Sequence, residues 1–416
     1  MKKLLILSCS FLISALILRG GELTLTGTTD KVPALYQPGE KMVFSVQLLD
    51  GSKPAAGKNL KWKRTGDDAR TETGDAISSE TEPLSISTTL DTPGFVRIEV
   101  WVLDEKGKPL MNAKNQPVRF EGGAGVEPEK LVSGIPEPAD FDAFWTKQKE
   151  RLAEVPLKFT MTEVPSDDPA YVTWDVKIDC AGGKPVSGYF TKPEDAPPKS
   201  LKAQATFMGY GIASAKPYYS PGMMTLSINA HGIENGKPPE FYKILGEGEL
   251  KKYGFSNKEN ARPETAYFNG MILRVMRSLE FLKAQPEWNG RDLISTGGSQ
   301  GALQAVAGAA MDKDVSKCAA YVPWCCDLGG LTLGRLRGWR PDYAEGLGYY
   351  DAANMARRIK CETAIVGGLG DYVCPPSGVC VLYNNIKAPK KLELIQGKTH
   401  SYTPPANLQK ITLKTN

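Results

Sequence analysis

Apolar and polar positions alternate in short runs through residues 22–122. The segments "KMVFSVQLL", "NLKWKR", "LSISTTL" and "FVRIEVWVL" are separated by the turn signals "QPGE", "LDGSKP", "DTPG" and "DEKGKP". A period of two with no helical period predicts strands, and strands at this spacing predict a small all-β sandwich of the immunoglobulin-like kind. Trp62 and Trp101 are expected in its core, with a sugar-binding platform as the alternative. The stretch "EGGAGVEPEKLVSGIPEP" at 121–138 is rich in glycine and proline. It reads as a connector over 123–136 between two units that fold apart.

The pattern then changes. Asp140 can cap a helix in which Phe141, Phe144 and Trp145 recur at helical spacing. Strands are expected at "YVTWDVKI" and "VSGYFTKP". Beyond them the apolar runs become nearly continuous: "AQATFMGYG", "TLSINAHG", "DLISTGGSQG", "CAAYVPWC", "TAIVGGLG" and "KLELIQG". Helical segments such as "AYFNGMILRVMRSLEFLKAQ" and "ALQAVAGAAM" lie between them. Buried strands alternating with helices predict an α/β unit over 137–416, with a mostly parallel sheet and helices on both faces.

The N-terminus adds a destination. Lys2 and Lys3 precede an apolar run that ends at Arg19 and two glycines. This reads as a secretory signal peptide over 1–21, too short to span a bilayer, and implies export to the periplasm or the medium. Cys9 follows too short an apolar run to favour a lipid anchor. Loss of residues 1–21 removes Lys2, Lys3 and Arg19 and no acid, so the net charge falls from +4 to +1. A near-neutral chain offers no electrostatic case for nucleic acid or an anionic membrane. Seven cysteines remain, an odd number, and the two histidines, His231 and His400, lie near no Cys-x-x-Cys pair. Buried thiols are therefore expected, with no metal and no cofactor.

Candidate chemistry centres on "GGSQG" at 297–301, a Gly-x-Ser-x-Gly pattern with a strand before it and a helix after it. In this context Ser299 sits on a sharp turn that exposes its hydroxyl above an α/β-hydrolase sheet. A serine hydroxyl needs a base, and in this fold the order is serine, acid, histidine. His400, in the loop after "KLELIQG", is the one histidine downstream. Asp371, closing "TAIVGGLGD", is the expected acid, and Asp327, after "CAAYVPWCC", is its rival. The backbone N–H of Gln300 is the first oxyanion donor, and that of Tyr210 in "FMGYG" the second.

These pieces together resemble the acetyl xylan esterase and cephalosporin C deacetylase family of carbohydrate esterases. The resemblance covers about 137–403 and rests on "DFDAFW", "FMGYG", "GGSQGA", "GLGDYVCPPSGVCVLYN" and "KTHSY". It implies a triad of Ser299, Asp371 and His400, and main-chain donors at Tyr210 and Gln300. It also implies an acetylated oligo- or polysaccharide as substrate. Met208 stands where the family has a histidine, and His231 roughly where it has an arginine. Asn269 and Arg274 replace its helix arginine and aspartate. His231 reads as a structural or pocket-wall residue. Other functions on the same fold would be a peptidase or lipase. A third class is a non-catalytic polysaccharide-binding module.

Overall fold

The computed structural model describes residues 22–404 and 409–415. The leader expected at 1–21 lies outside the described residues. No helix among them is long and apolar enough to cross a membrane.

Residues 23–126 form two β-sheets. One joins Leu23–Thr29, Met42–Asp50, Lys53–Pro54 and Leu84–Thr88. The other runs Leu35–Tyr36, Arg119–Val126, Gly94–Val102, Asn59–Gly66, Thr71–Ile77. In Met42–Asp50 buried and half-buried positions alternate, as a strand with one face on a core requires. Gly94–Val102 is different, with eight of its nine residues buried, so both of its faces are covered. The helix Pro376–Asn385 packs against it. Trp62 and Trp101 are only half-buried, against the expectation of core tryptophans. Trp101 pairs across the sheet with Lys61 and Arg119, on a face that water reaches.

The second region is built on a ten-stranded sheet. Its order is Phe159–Val164, Tyr171–Ile178, Val186–Pro193, Met223–Ile228, Leu201–Phe207, Trp288–Gly298, Lys317–Tyr321, Glu362–Gly368, Lys390–Ile395, Lys410–Thr415. The strands from Met223–Ile228 to Lys390–Ile395 are parallel, and both ends are antiparallel. Trp288–Gly298 lies inside the parallel part and feeds the helix Gln300–Met311, which packs beside Tyr267–Lys283. The helix Phe141–Ala153 starts where expected, but Asp140 does not cap it. Its carboxylate accepts from Tyr349 Oη at 2.5 Å instead.

The buried apolar residues of both regions belong to one continuous core. The glycine-rich stretch read as the start of a connector is largely strand, since Arg119–Val126 runs through it. Its glycines permit close packing of backbones. A Cβ on Gly123 would lie 2.5 Å from Val96 O and 2.9 Å from Leu369 O. One on Gly370 would collide with Glu121 O. The buried Gln396 side chain completes the seam, accepting from Gly123 N and donating to Gly123 O, both at 2.9 Å. The expectation of two units folding apart thus meets a shared core and a hydrogen-bonded seam.

Candidate active site

Ser299 stands between the end of a parallel strand and the first residue of a helix, at φ 58° and ψ −121°. This backbone region is costly for a side-chain-bearing residue, about 1–3 kcal/mol, and persists only where the surroundings enforce it. Two glycines let the turn close. A Cβ on Gly297 would collide with the Gly301 backbone, and one on Gly301 with Phe207 O. Ser299 N donates to Tyr321 O at 2.9 Å, and Ser299 O accepts from Trp324 N at 3.2 Å. The turn is therefore gripped from the neighbouring strand and the loop after it.

His400 reaches this serine from the loop after Lys390–Ile395. Its Nε2 lies 3.1 Å from Ser299 Oγ and its Nδ1 lies 3.1 Å from Asp371 Oδ2. The Asp371 side chain is buried. Its other oxygen accepts from the N–H groups of Val373 and Cys374, each at 2.8 Å. Those bonds fix the carboxylate and leave Oδ2 for the imidazole. The acid and base loops are also tied to each other, because Gly370 N donates to Lys398 O at 3.1 Å and Leu369 N to Ile395 O at 3.0 Å.

Cys374 belongs to the same cluster. One ligand atom each of Asp371, Cys374 and His400 lies within 4.8 Å of the others. Burial pushes the Cys374 thiol well above its ordinary range, so it keeps its proton. The seven cysteines among the described residues are free thiols, six of them buried.

Gln300 opens the helix directly after Ser299, so its N–H has no intrahelical acceptor. The "FMGYG" loop lies alongside. A Cβ on Gly209 would sit 3.5 Å from Gly298 O and 3.9 Å from Ser299 Cβ. Tyr210, the next residue, stacks its ring on Tyr253 at 4.2 Å and 9°. It also meets the edges of Trp324 and Trp339 at 5.7 and 4.8 Å.

His231 does not join the chain of Ser299, His400 and Asp371. It is buried, with Nε2 2.9 Å from Gly211 O and Nδ1 2.7 Å from Tyr267 Oη. Burial pushes it down to about 4, and the nearby Arg274 charge acts in the same direction. It braces the loop that carries Tyr210, a structural role as expected. Asp327 is also elsewhere in function. Its carboxylate accepts from Gly134 N at 2.7 Å and pairs with Arg335 at 2.5 Å, tying residue 134 to the loop after Lys317–Tyr321. Asn269 bonds Gln148 and Tyr350, and Arg274 bonds Ala230 O.

The aromatic wall of Tyr253, Phe255, Trp324 and Trp339 around Tyr210 escapes sequence reasoning. Only the close pair Tyr253 and Phe255 hints at it.

A family model described as acetyl xylan esterase matches residues 129–332 and 340–415. The acetyl esterase Axe7A of Xylanibacter ruminicola is 26% identical over 336 residues, covering 77% of this chain and 73% of that protein. The acetyl xylan esterase from Paenibacillus sp. R4 superposes with a TM-score of 0.55 at 24% identity, over 67% of this chain and 94% of its own. Acetyl xylan esterase 1 from Thermoanaerobacterium sp. JW/SL YS485 gives 0.52 at 19% identity, over 68% and 94%. These likenesses show that the second region shares the fold of those two proteins. The family match spans more than half of the sequence, and the chain belongs to the acetyl xylan esterase family, as a carboxylic ester hydrolase.

Proposed function

We propose that this chain is an exported serine esterase that removes acetyl groups from sugar hydroxyls through an acyl-enzyme. The observation that carries the reading is the hydrogen-bonded series Ser299 Oγ, His400 Nε2, His400 Nδ1, Asp371 Oδ2. Ser299 Oγ attacks the acetyl carbonyl while His400 Nε2 takes its proton. Asp371 holds the Nδ1–H tautomer and balances the imidazolium. The oxyanion receives hydrogen bonds from the N–H groups of Gln300 and Tyr210. Collapse breaks the C–O bond, and His400 returns the proton to the leaving sugar oxygen. Water, deprotonated by His400, then attacks the acetyl-serine; acetate leaves and Ser299 regains its proton.

In this reading residues 1–21 are a cleaved leader, and the two N-terminal sheets are an immunoglobulin-like sandwich ahead of the hydrolase unit. The substrate is an acetylated oligo- or polysaccharide, on the family relationship and the acetyl esterase activity of the relative Axe7A. The test is acetate release from acetylated xylan and xylo-oligosaccharides by the purified mature chain. Release by the wild type and none by Ser299→Ala is the expected outcome. Turnover that survives Ser299→Ala would refute the serine mechanism.

A further inference from the structure

Two stretches fall outside the matched family segments: the N-terminal sheets and the seven residues 333–339. They meet in space. Asp67, buried in the turn after Asn59–Gly66 of the second sheet, accepts from Leu336 N at 2.9 Å and from Ser377 Oγ at 3.3 Å. Its other oxygen accepts from Phe95 N at 2.8 Å. A Cβ on Gly334 would lie 3.6 Å from Ala69 Cβ. The N-terminal sheets thus hold the unmatched loop in place.

The loop ends in Trp339, which three parts of the site grip. Its N–H donates to Val373 O at 3.0 Å, on the loop that carries Asp371. Its carbonyl accepts from Trp324 Nε1 at 2.6 Å, and Trp324 N in turn bonds Ser299 O. Its ring stacks on Trp324 at 5.6 Å and 23°, and meets Tyr210 edge-on at 4.8 Å. Gly338 makes this approach possible, since a Cβ there would lie 2.5 Å from Val373 O. Even so, Trp339 remains 44% exposed. The indole is thus left open, fixed by main-chain bonds on both sides, and joined to the serine turn through Trp324.

We propose that Trp339 is a specificity-determining residue that stacks on a sugar ring of the ester substrate. A pyranose offers a face of C–H groups that matches an indole, with its hydroxyls left to water. This inference rests on the proposed deacetylation of sugars. It adds that the N-terminal sheets, by holding 333–339, tune the site toward carbohydrate esters.

The test compares kcat and KM on acetylated xylo-oligosaccharides with those on ethyl acetate, which has no ring to stack. Three variants are measured: Trp339→Ala, Trp339→Leu and Trp339→Phe. Leucine keeps apolar bulk against Tyr210 and Trp324 but has no π face. We expect Ala and Leu to lose about 10-fold more kcat/KM on the sugar esters than on ethyl acetate, mostly through KM, and Phe to restore most of it. Equal losses on both substrates would mean that Trp339 acts only by propping Tyr210, and would overturn the inference. So would a Leu variant as good as Phe. A wild type that cleaves ethyl acetate but no sugar ester would overturn the proposed function itself. Sugar-ester turnover unaffected by the variants would sink this inference alone.

Discussion

His231 sets an acid limit on this enzyme, and the size of that limit follows from its surroundings. In the neutral ring Nε2–H donates to Gly211 O, and Nδ1 accepts from Tyr267 Oη. Protonation would place a charge in a buried site beside Arg274. The folded side chain therefore takes its proton at about 4, against an ordinary 6.5. Between those values the unfolded chain binds a proton that the folded chain refuses. Stability is thus complete above pH 6.5 and is lost as pH falls toward 4. Each unit of difference corresponds to about 1.4 kcal/mol, so going from pH 7 to pH 4.5 costs about 2 kcal/mol at this one residue.

Other buried groups act in the opposite sense. Burial raises Asp67 and Asp351 each to about 6, so both add stability as pH falls through the same range. A single pH profile would mix these contributions, but a difference between two proteins does not. We therefore compare the wild type with His231→Gln, whose amide can donate to Gly211 O but does not titrate in this range. Urea denaturation gives each unfolding free energy at pH 7 and pH 4.5. The expected gap between the two proteins narrows by about 2 kcal/mol at the lower pH. Because Gly211 follows Tyr210, kcat of the wild type should also decline more steeply in acid than kcat of the variant. Parallel stability profiles would refute the reasoning, since His231 would then titrate alike in the folded and unfolded chains.

Three further outcomes are expected. His400→Ala should lower kcat by a factor of about 10⁴ or more with the fold intact by circular dichroism, and Asp371→Asn by about 10⁴, while Ser299→Ala/His400→Ala is scarcely worse than either single change. Near-wild-type kcat in Asp371→Asn, with loss in Asp327→Asn, would reassign the acid. Gln396→Leu strands the buried N–H and C=O of Gly123, at about 1–3 kcal/mol each. Urea unfolding should show a loss of about 2–6 kcal/mol, and no measurable loss would mean that the seam is not continuous. Acetyl esters should be cleaved faster than butyryl esters, by about 10-fold or more per two added methylenes, and faster cleavage of octanoyl esters would point to a lipase.

The parts of this site that could be read from sequence are local or scarce. Ser299 is legible because strand, Gly-x-Ser-x-Gly and helix are contiguous, and the glycines are required by contacts within a few residues. His400 is legible because the chain has only two histidines and one of them precedes the serine. Asp371 stands out by its place at a strand end. What escaped depends on partners distant in the chain. Gly122 and Gly123 resemble part of a linker until Gln396 and Leu369 are seen lying against them. The edge strand Phe159–Val164 has no fully buried position, so its apolar signal is faint. Trp339 lies in a loop, and only the positions of Tyr210, Trp324 and Val373 make it part of the site.

The seam ties the N-terminal sheets to the loops that carry Asp371 and His400. Two loops must hold Asp371 and His400 within hydrogen-bond reach, and each loop leaves the end of a different strand. Arg119–Val126 touches both. Its Glu121 and Gly123 backbones lie against Gly370 and Leu369, just before the acid, and Gln396, just after the strand that leads to His400, pairs with Gly123. The same sheet carries the buried Arg97–Glu121 ion pair at 3.0 Å, and a side chain added to Gly370 would collide with the Glu121 backbone. A strand set this deeply cannot shift without moving both loops. Sheets that supply none of the three residues therefore bear on the spacing of Asp371 and His400. Through Asp67 they also fix the aromatic edge on which the sugar is proposed to rest.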